Sequence, residues 1–400
     1  MTKRAIGCKL YLFVKVSFYE YIDSKIEEMS HLAGQVPYAR KRGVEIELMT
    51  RRIVSELPNA VYDYILAINT STQPLTRYAY VHDLRLFFSY LQKEVPRFSG
   101  KELIAWTDKD FASITVRDIN MFLDYLSIYF NEDDSMVTNQ ELGKMRKFYS
   151  IRSFFKWMFK QGMIPADVTA LAEAPKRHEK AILRLDLDEV NSMLSIAESG
   201  ENLSERQQKF HELTQKRDLA MLSLFLGTGI RVSECVGMNI EDLNLDDGSF
   251  LVTRKGGNQA ILYLPDEIIP ALRDYLMERM DIEACEGHEE ALWLSLQKKR
   301  ITVRAVENMV KKYAAIAAPL KKRISPHKLR STFGTNLYNE VGDIYLVADV
   351  LGHSDINTTR RHYAAMNEER RKYAATRVRL TETPKTAYEN DNPDDNNQES

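Results

Sequence analysis

The amino-acid sequence predicts a multi-domain protein with an all-α helical bundle first and a mixed, mainly α domain second, the latter containing a small antiparallel β-sheet. Three observations carry this prediction. Apolar residues recur at helical spacing from Leu57 to Lys160, a proline with a basic run interrupts that pattern after residue 173, and a hairpin pattern occupies residues 249–264 between helical segments. A chain of 400 residues is long enough to bury both cores.

Two long helices define the predicted bundle. Each places apolar side chains three and four positions apart, so that one face of the helix is apolar. The apolar positions are Tyr80, Leu84, Phe87, Phe88 and Leu91 in the first helix and Phe148, Ile151, Phe155 and Met158 in the second. These two stripes indicate a small helical bundle.

The second helix also carries six basic residues and no acidic residue between positions 144 and 164. Three of them are spaced by four and form a stripe beside the apolar face. A run of charge is ordinarily a solvated helix surface, but solvated surfaces usually mix both signs. The absence of carboxylates therefore favours a helix that faces phosphate groups. The basic residues are Lys144, Arg146, Lys147, Arg152, Lys156 and Lys160.

Composition divides the chain into five segments. Pro175 and the basic run after it mark a linker, and Asp186 or Asp188 begins a new helix. The last twenty residues carry six acids against Lys385, hence −5, which leaves +3 for the rest of a chain of net charge −2. The predicted segments are 1–50, an N-terminal extension of unknown role; 51–172, the helical domain; 173–185, the linker; 186–380, the second domain; and 381–400, an acidic disordered tail.

The bulk composition excludes several classes of protein. A hydrophobic content of 44% with 28% charged residues is ordinary for a globular protein and argues against wholesale disorder or membrane residence. Cys8, Cys235 and Cys285 are odd in number and far apart, which argues against a disulfide framework and for the cytoplasm. The apolar run 10–14 is too short for a signal sequence or a membrane span. Met49 is an alternative candidate for the first residue of the protein.

Two motifs place basic side chains beside glycine turns. In FLGTGIRVSE, Gly227 and Gly229 end an apolar helix, and Arg231 stands three residues before Glu234. Alone, that arrangement would be a surface ion pair. In SFLVTRKGGNQAILYLP, Lys255 stands at the entrance of a hairpin turn. A lysine there is ordinarily solubilising, but its ammonium could also enter a DNA groove or donate a proton to a leaving oxygen.

A third motif, RISPHKLRSTFGTNL, begins a helix. Ser325 is a suitable N-cap and Pro326 a suitable first helical residue. His327 and Arg330 then share one face near the positive N-terminal end, where an anion is favoured. Taken alone, a histidine and an arginine at this spacing would be incidental.

The last motif, LGHSDINTTRRHY, joins two helices. Gly352 ends an apolar helix, His353 follows directly, and a new helix begins around Asn357. That second helix carries Tyr363. A tyrosine taken singly is ordinarily a half-buried packing residue.

The order Arg, Lys, His-x-x-Arg, Gly-His and Tyr is more informative than any one member. Two guanidinium groups can hold the non-bridging oxygens of a phosphodiester and stabilise a pentacoordinate transition state. A phenol can attack the phosphorus and form a phosphotyrosine ester. A histidine can take or share the phenolic proton, and a lysine can protonate the departing 5′ oxygen. Such a site requires no metal, because the arginines supply the positive charge.

These motifs make the chain resemble the tyrosine recombinases of the phage-integrase and Xer type. The resemblance is strong from Asp186 to Leu380, whose implied fold is that of the DNA breaking-rejoining enzymes, and the segment from Leu57 to Ile164 resembles the family's SAM-like core-binding domain, which clamps DNA. GTGIRVSE, TRKGG, SPHKLRSTFGTNL and LGHSDINTT, followed by Tyr363, are specific together and in this order. The form VTRKGG and the N-terminal helices resemble single-protein Xer recombinases of Gram-positive bacteria.

The resemblance implies a role for each residue of the set. The sequence departs from the family pattern at two places: Tyr363 lies ten residues after His353, where many Xer relatives have nine, and Ser331 stands where many have a second histidine. Neither departure removes a catalytic group. The implied roles are Arg231 and Arg330 as the phosphate clamp, Lys255 as the general acid, His327 as the acid/base, His353 as a phosphate hydrogen-bond donor, Tyr363 as the nucleophile, and Glu234 as support.

The resemblance further implies recombination of double-stranded DNA by a homotetramer on two DNA sites, without cofactor, metal or membrane. A partner recombinase or a directionality factor could take part. The implied roles are integration and excision of a mobile element, or chromosome dimer resolution and partition. Two alternatives stay open: an inactive DNA-binding accessory factor, and type IB topoisomerase-like strand relaxation. The presence of all six catalytic groups and the short GTGIRVSE and LGHSD forms favour the recombinase.

Overall fold

The described part of the chain is mostly helical and contains two small antiparallel sheets. This confirms the mainly α fold class predicted from the sequence. The chain divides into two compact units, 1–333 and 334–400. Within the described ranges, no helix is both long and apolar enough to cross a membrane. The computed structural model describes residues 38–130, 133–176, 183–254, 257–321, 324–353 and 355.

The N-terminal helices share one core that is rich in aromatic side chains. Phe88 and Phe154 are fully buried and pack edge to face, with ring centroids 5.8 Å apart. All the apolar positions predicted from the spacing of the two long helices are buried except Tyr80, which is partly buried. The elements are α1 (Tyr38–Val54), α2 (Asn59–Ala67), α3 (Pro74–Glu94), α4 (Asp108–Ala112), α5 (Val116–Tyr125), β1 (Tyr129–Phe130), β2 (Met136–Val137) and α6 (Glu141–Lys160), with 3₁₀ turns at Pro96–Phe98, Leu103–Ala105 and Val168–Leu171.

An ion pair with a buried carboxylate joins the two long helices, α3 and α6. Asp83 accepts hydrogen bonds from Arg146 Nη1 and Nη2 at 2.6 and 2.7 Å and from Ser150 Oγ at 2.7 Å. Burial raises the pKa of Asp83 in spite of these donors. The two-pronged geometry fixes one helix against the other. Arg146, one of the six basic residues of α6, therefore has a structural role.

The linker leads into a second hydrophobic core. Its first helix is capped by Asp186, one of the two residues predicted to begin it, and Trp293 stacks on Tyr275 with ring centroids 5.0 Å apart. The elements are α7 (Leu187–Ser199), α8 (Glu205–His211), α9 (Gln215–Thr228), α10 (Val232–Gly237), β3 (Leu243–Asn244), β4 (Ser249–Thr253), β5 (Gln259–Tyr263), α11 (Ile269–Met280), α12 (Val303–Ala317) and α13 (Pro326–Val341), with 3₁₀ turns at Ile240–Asp242 and Asp266–Ile268.

The three-stranded sheet has the order β3-β4-β5, and both pairs are antiparallel. β4 and β5 pair with Leu251 opposite Ile261, which confirms the hairpin predicted at 249–264. Phe250 and Val252 point into the core, because alternate residues of a strand face the same side.

A buried polar cluster ties the start of α9 to α12. Asp218 Oδ2 accepts hydrogen bonds from Lys312 Nζ and Tyr313 Oη at 3.0 Å and from Thr214 Oγ1 at 3.1 Å, and Arg217 Nη2 donates to Oδ1 at 2.7 Å. Burial alone would raise the pKa of Asp218, but Arg217 and Lys312 hold it below its ordinary value. The carboxylate therefore stays ionised inside the core.

His211 extends this cluster toward the end of α7. Its Nδ1 lies 3.1 Å from Tyr313 Oη, and its buried Nε2 has no hydrogen-bond partner among the described residues. Burial lowers the pKa of His211, and the charge on Lys312 lowers it further. Gly200, the left-handed cap of α7 with φ +75°, approaches the imidazole so closely that a Cβ there would lie 2.6 Å from Cδ2.

The second unit contains the end of α13 and the short apolar helix α14 (Ile344–Leu351). Asp343 caps α14, because its Oδ1 accepts hydrogen bonds from Tyr345 N at 2.7 Å and Leu346 N at 3.3 Å. Gly352 ends the helix with φ +60°, as the sequence predicted.

Replacing Gly200 by alanine should destabilise the protein by more than the cost of placing alanine in a left-handed backbone conformation. We expect Gly200→Ala to lower the free energy of unfolding by at least about 2 kcal/mol, because left-handed strain adds to the clash with His211. Gly162→Ala is the matched control, since Gly162 has φ +72° and nothing within 4 Å of a Cβ. It should lose about 1 kcal/mol. Equal losses in urea denaturation would contradict a tight contact at His211.

His211 should also make stability depend on pH. Its folded-state pKa lies below its unfolded value near 6.5, so on acidification the unfolded chain binds a proton before the folded chain does. The contribution is complete above about pH 6.5 and declines as the pH falls, by at most about 1.4 kcal/mol per pH unit. His211→Phe should flatten the unfolding free energy between about pH 7 and pH 5. An unchanged slope would contradict this assignment.

Candidate active site

The first candidate arginine follows a tight turn. α9 ends at Thr228, and Gly229 has φ +63°, a conformation that glycine adopts without strain. Ile230 is then buried, and Arg231 caps the start of α10. The turn predicted from the two glycines therefore places Arg231 at the beginning of a helix.

Glu234 holds Arg231 in place. Its carboxylate accepts hydrogen bonds from Arg231 N at 3.0 Å and from Arg231 Nη1 at 2.7 Å. The side chain of Glu234 is 4% exposed, while that of Arg231 is 32% exposed. A pair with a buried carboxylate restrains the guanidinium more firmly than a surface pair at the same spacing. Arg231 and Glu234 therefore form the ion pair that their spacing allows, but the buried carboxylate distinguishes it from a surface ion pair.

α13 brings Arg330 to the same turn. Arg330 is buried, and its Nη1 donates a hydrogen bond to the carbonyl oxygen of Gly229 at 2.6 Å. Gly229 lies two residues before Arg231, so two arginines from distant parts of the sequence meet at one turn. Paired guanidinium groups are well suited to bind a phosphodiester, because each can donate two parallel hydrogen bonds.

His327 lies one turn before Arg330 on α13, which begins at Pro326 as predicted. The side chain of His327 is exposed, in contrast to that of Arg330. Ser331, which departs from the family pattern, is buried, and its Oγ donates to the carbonyl oxygen of His327 at 3.0 Å. Ser331 therefore contributes to the helix itself.

His353 lies in the second unit, directly after the glycine that ends α14. Its backbone N donates to the carbonyl oxygen of Ala348 at 2.9 Å, and its side chain is half-buried. This closing bond is typical of a helix that ends in a left-handed residue. The local backbone that presents His353 is thus the one predicted from the Leu-Gly-His motif.

Lys255 and Tyr363 lie outside the described residues. The strands on both sides of Lys255 are paired, and Arg254 N donates to the carbonyl oxygen of Asn258 at 2.7 Å. The roles of Lys255 and Tyr363 stay predictions.

The basic face of α6 is divided between residues with local partners and exposed residues. Lys144 Nζ donates to Ser127 Oγ at 2.5 Å, and Lys147 Nζ to Asn139 Oδ1 at 2.8 Å. Arg152 Nη2 donates to the carbonyl oxygen of Thr169 at 3.0 Å, and its guanidinium lies over the ring of Phe148. Lys156 and Lys160 are exposed, and so is Arg146, which pairs with Asp83.

One residue that the sequence did not single out secures the other end of α10. Arg300 donates to the carbonyl oxygens of Val236 at 3.0 Å and Met238 at 2.7 Å and to Asn239 Oδ1 at 2.5 Å. These bonds satisfy carbonyl groups at the helix end. In the sequence Arg300 belongs to the run QKKR, which resembles an ordinary basic surface segment, so no local pattern could have indicated its role.

The two described cysteines are free. Cys235 follows Glu234 and is fully buried, and burial raises the pKa of its thiol, so it belongs to the hydrophobic core. Cys285 Sγ donates to the carbonyl oxygen of Gln297 at 3.3 Å. In the ranges that the structure describes, no group of three His, Cys, Asp or Glu side chains is placed to hold a metal ion.

The sequence is similar to known recombinases over most of its length. Residues 184–370 match the phage integrase family. The chain is 34% identical over 294 residues to tyrosine recombinase XerC of Caldanaerobacter subterraneus subsp. tengcongensis, covering 72% of this chain and 77% of that relative. It is 28% identical over 271 residues to tyrosine recombinase XerD of Staphylococcus epidermidis, covering 64% of this chain and 88% of the relative.

The fold is also similar to solved recombinase structures. The XerH site-specific recombinase bound to palindromic difH substrate matches with a TM-score of 0.56 at 18% identity, over 83% of this chain and 94% of that one. The Tn1549 transposon integrase in complex with transposon right end DNA matches with a TM-score of 0.54 at 18% identity, over 80% of this chain and 99% of that one. The sequence match to XerC, together with the match of residues 184–370, shows that the chain belongs to the phage integrase family of tyrosine recombinases.

Proposed function

We propose that the protein is a site-specific DNA recombinase that cuts and rejoins DNA strands through a 3′-phosphotyrosyl intermediate. The observation that carries the proposal is the meeting of Arg231 and Arg330 at the turn of Gly229, with Glu234 bound to the first arginine. Arginine remains charged at any physiological pH, and a pair of guanidinium groups matches the non-bridging oxygens of a phosphodiester. Family membership supports the same reaction.

In the proposed reaction the Tyr363 oxygen attacks the phosphorus while the bond from phosphorus to the 5′ oxygen breaks. His327 accepts the phenolic proton, and Lys255 gives a proton to the departing 5′ oxygen. Arg231, Arg330 and His353 donate hydrogen bonds to the phosphate as its charge rearranges. A 5′ hydroxyl from a second DNA then attacks the phosphotyrosine and reverses each step. Because the ester bond is exchanged and not hydrolysed, the strand is rejoined without a nucleotide cofactor.

We further propose that residues 51–172 form a core-binding DNA-clamp domain, 173–185 a linker and 186–380 the catalytic domain. Support comes from two hydrophobic cores, one extending from Ile53 to Ala172 and the other from Leu185 to Leu329, with the linker between them. Among the basic residues of α6, Lys156 and Lys160 are the best candidates for phosphate contacts, because they are exposed, whereas the exposed Arg146 is bound to Asp83.

The expected assembly is a homotetramer on two sites of double-stranded DNA in the cytoplasm. Residues 1–50 stay an N-terminal extension of unknown role, and residues 381–400 stay a predicted acidic disordered tail. The similar proteins include the tyrosine recombinases XerC and XerD and a transposon integrase. Both biological roles, dimer resolution and element movement, are therefore compatible with the proposed chemistry.

Tyr363→Phe should abolish the covalent protein–DNA adduct, because phenylalanine lacks the attacking oxygen. The adduct can be captured from fragmented genomic DNA under denaturing conditions, and sequencing the captured fragments then locates the target site. Tyr373→Phe is the matched control and should form the adduct like wild type. An adduct with Tyr363→Phe would overturn the nucleophile assignment.

Experiments with the same purified protein distinguish the proposed recombinase from the two alternative functions. Wild-type protein that binds DNA without forming any adduct would favour an accessory factor. Relaxation of a supercoiled plasmid that lacks every captured site would favour a topoisomerase.

Glu234→Gln should slow DNA cleavage while leaving DNA affinity almost unchanged. Loss of the charge that restrains Arg231 should reduce the single-turnover cleavage rate by about tenfold to a hundredfold, whereas the dissociation constant should stay within about twofold. Glu307→Gln is the matched control, because Glu307 pairs with Arg304 at the same spacing but on the surface, with Nη1 and Oε2 3.3 Å apart. Equal cleavage rates for the two variants would contradict a role for Glu234.

A further inference from the structure

A buried hydrogen bond to α13 holds the chain where it enters the second core. Leu185 N donates to Thr332 Oγ1 at 3.0 Å, and both residues are almost completely buried, with exposures of 2% and 1%. The hydroxyl of Thr332 in turn donates to the carbonyl oxygen of Lys328 at 3.0 Å. The Thr332 hydroxyl therefore donates its proton to a carbonyl oxygen of its own helix. A lone pair of the same oxygen accepts the hydrogen bond from the backbone N–H of Leu185.

A second set of contacts holds the residues that follow Leu185. Lys321 Nζ lies 2.8 Å from Asp186 Oδ2 and 2.6 Å from Glu189 Oε2. Asp186 N also donates to Glu189 Oε2 at 2.7 Å, which closes the capping box at the start of α7. The end of the linker is thus attached both to α13 and to the segment just before it.

The same helix carries two candidate catalytic residues. Thr332 stands two residues after Arg330, and Arg330 Nη1 is bound to the carbonyl oxygen of Gly229. Two hydrogen bonds on one helix therefore connect the backbone of Leu185 with the turn that precedes Arg231: Leu185 is bound to Thr332, the backbone of α13 joins Thr332 to Arg330, and Arg330 is bound to Gly229. A displacement of the linker end would be transmitted to the proposed phosphate clamp, because close-packed interiors transmit strain.

We propose that Thr332 is a positioning residue for strand cleavage: its hydroxyl fixes the end of the interdomain linker to the helix that carries His327 and Arg330. The role rests on the proposed function. Thr332 is buried, so it acts through Arg330 and makes no contact with DNA of its own. It therefore influences the rate of the chemical step, while DNA affinity depends on other residues.

Two substitutions separate the hydroxyl from the rest of the side chain. Thr332→Val preserves shape and removes the hydroxyl, which leaves the Leu185 amide without its acceptor. Thr332→Ser keeps the hydroxyl and removes only the methyl group. Single-turnover cleavage at saturating DNA should be about tenfold slower for Thr332→Val and within about twofold of wild type for Thr332→Ser.

Two further measurements distinguish positioning from a general loss of structure. The dissociation constant for DNA should stay within about twofold in both variants. Amide hydrogen exchange at Leu185 should accelerate in Thr332→Val but not in Thr332→Ser, because only the first loses the acceptor. Thermal melting should show that each variant is folded at the assay temperature. If Thr332→Val does not fold, Thr332→Ala, which avoids a branched apolar group, takes its place with the same expectation.

Each outcome decides the proposal. Slow cleavage by Thr332→Val, normal cleavage by Thr332→Ser and unchanged affinity support it. Equal cleavage by Thr332→Val and wild type would overturn it, as would Thr332→Ser that is folded but as slow as Thr332→Val. Wild-type protein that binds DNA and forms no adduct would overturn the proposed function itself, and with it the role of Thr332.

Discussion

The hydrogen bond from Arg330 to the carbonyl oxygen of Gly229 is the contact on which the candidate site depends. A carbonyl group is a dipole, so it orients the guanidinium without cancelling its charge as a carboxylate would. The accepting carbonyl group belongs to Gly229, at which the chain turns in a left-handed conformation. The backbone of the turn thus binds Arg330 two residues before Arg231. A phosphate bound there would meet positive charge that is already in position.

Hydrogen bonds hold both ends of α9, the helix that leads into this turn. At its N-terminal end Asp218 is surrounded by four donors, and at its C-terminal end Gly229 leads into α10. α10 is in turn held at its start by Glu234 and at its end by Arg300. A buried charge is costly without partners, so each of these groups tolerates little displacement. The polar core is therefore the support that holds the arginines in place.

Much of the fold could be predicted because its signals are local. Apolar spacing indicated α3 and α6, and capping residues indicated the start of α7 and the end of α14. The partners of Asp218, Arg300 and Thr332 could not be predicted in this way. They lie 94, 62 and 147 positions away in the sequence, at Lys312, Met238 and Leu185. No periodicity or cap connects such positions, since only the packing of whole helices brings them together.

The Arg231–Glu234 pair shows why single motifs remain ambiguous. The sequence contains other arginines three residues before a glutamate, among them Arg304 before Glu307, and this pair forms as well. What separates them is burial: the carboxylate side chain is 4% exposed in the first pair and 36% exposed in the second. Spacing alone predicts that two side chains can form an ion pair, whereas burial decides whether the ion pair restrains them. Burial in turn depends on the helices packed around the pair, so the identity of the site emerges from the ordered set of motifs and not from any one of them.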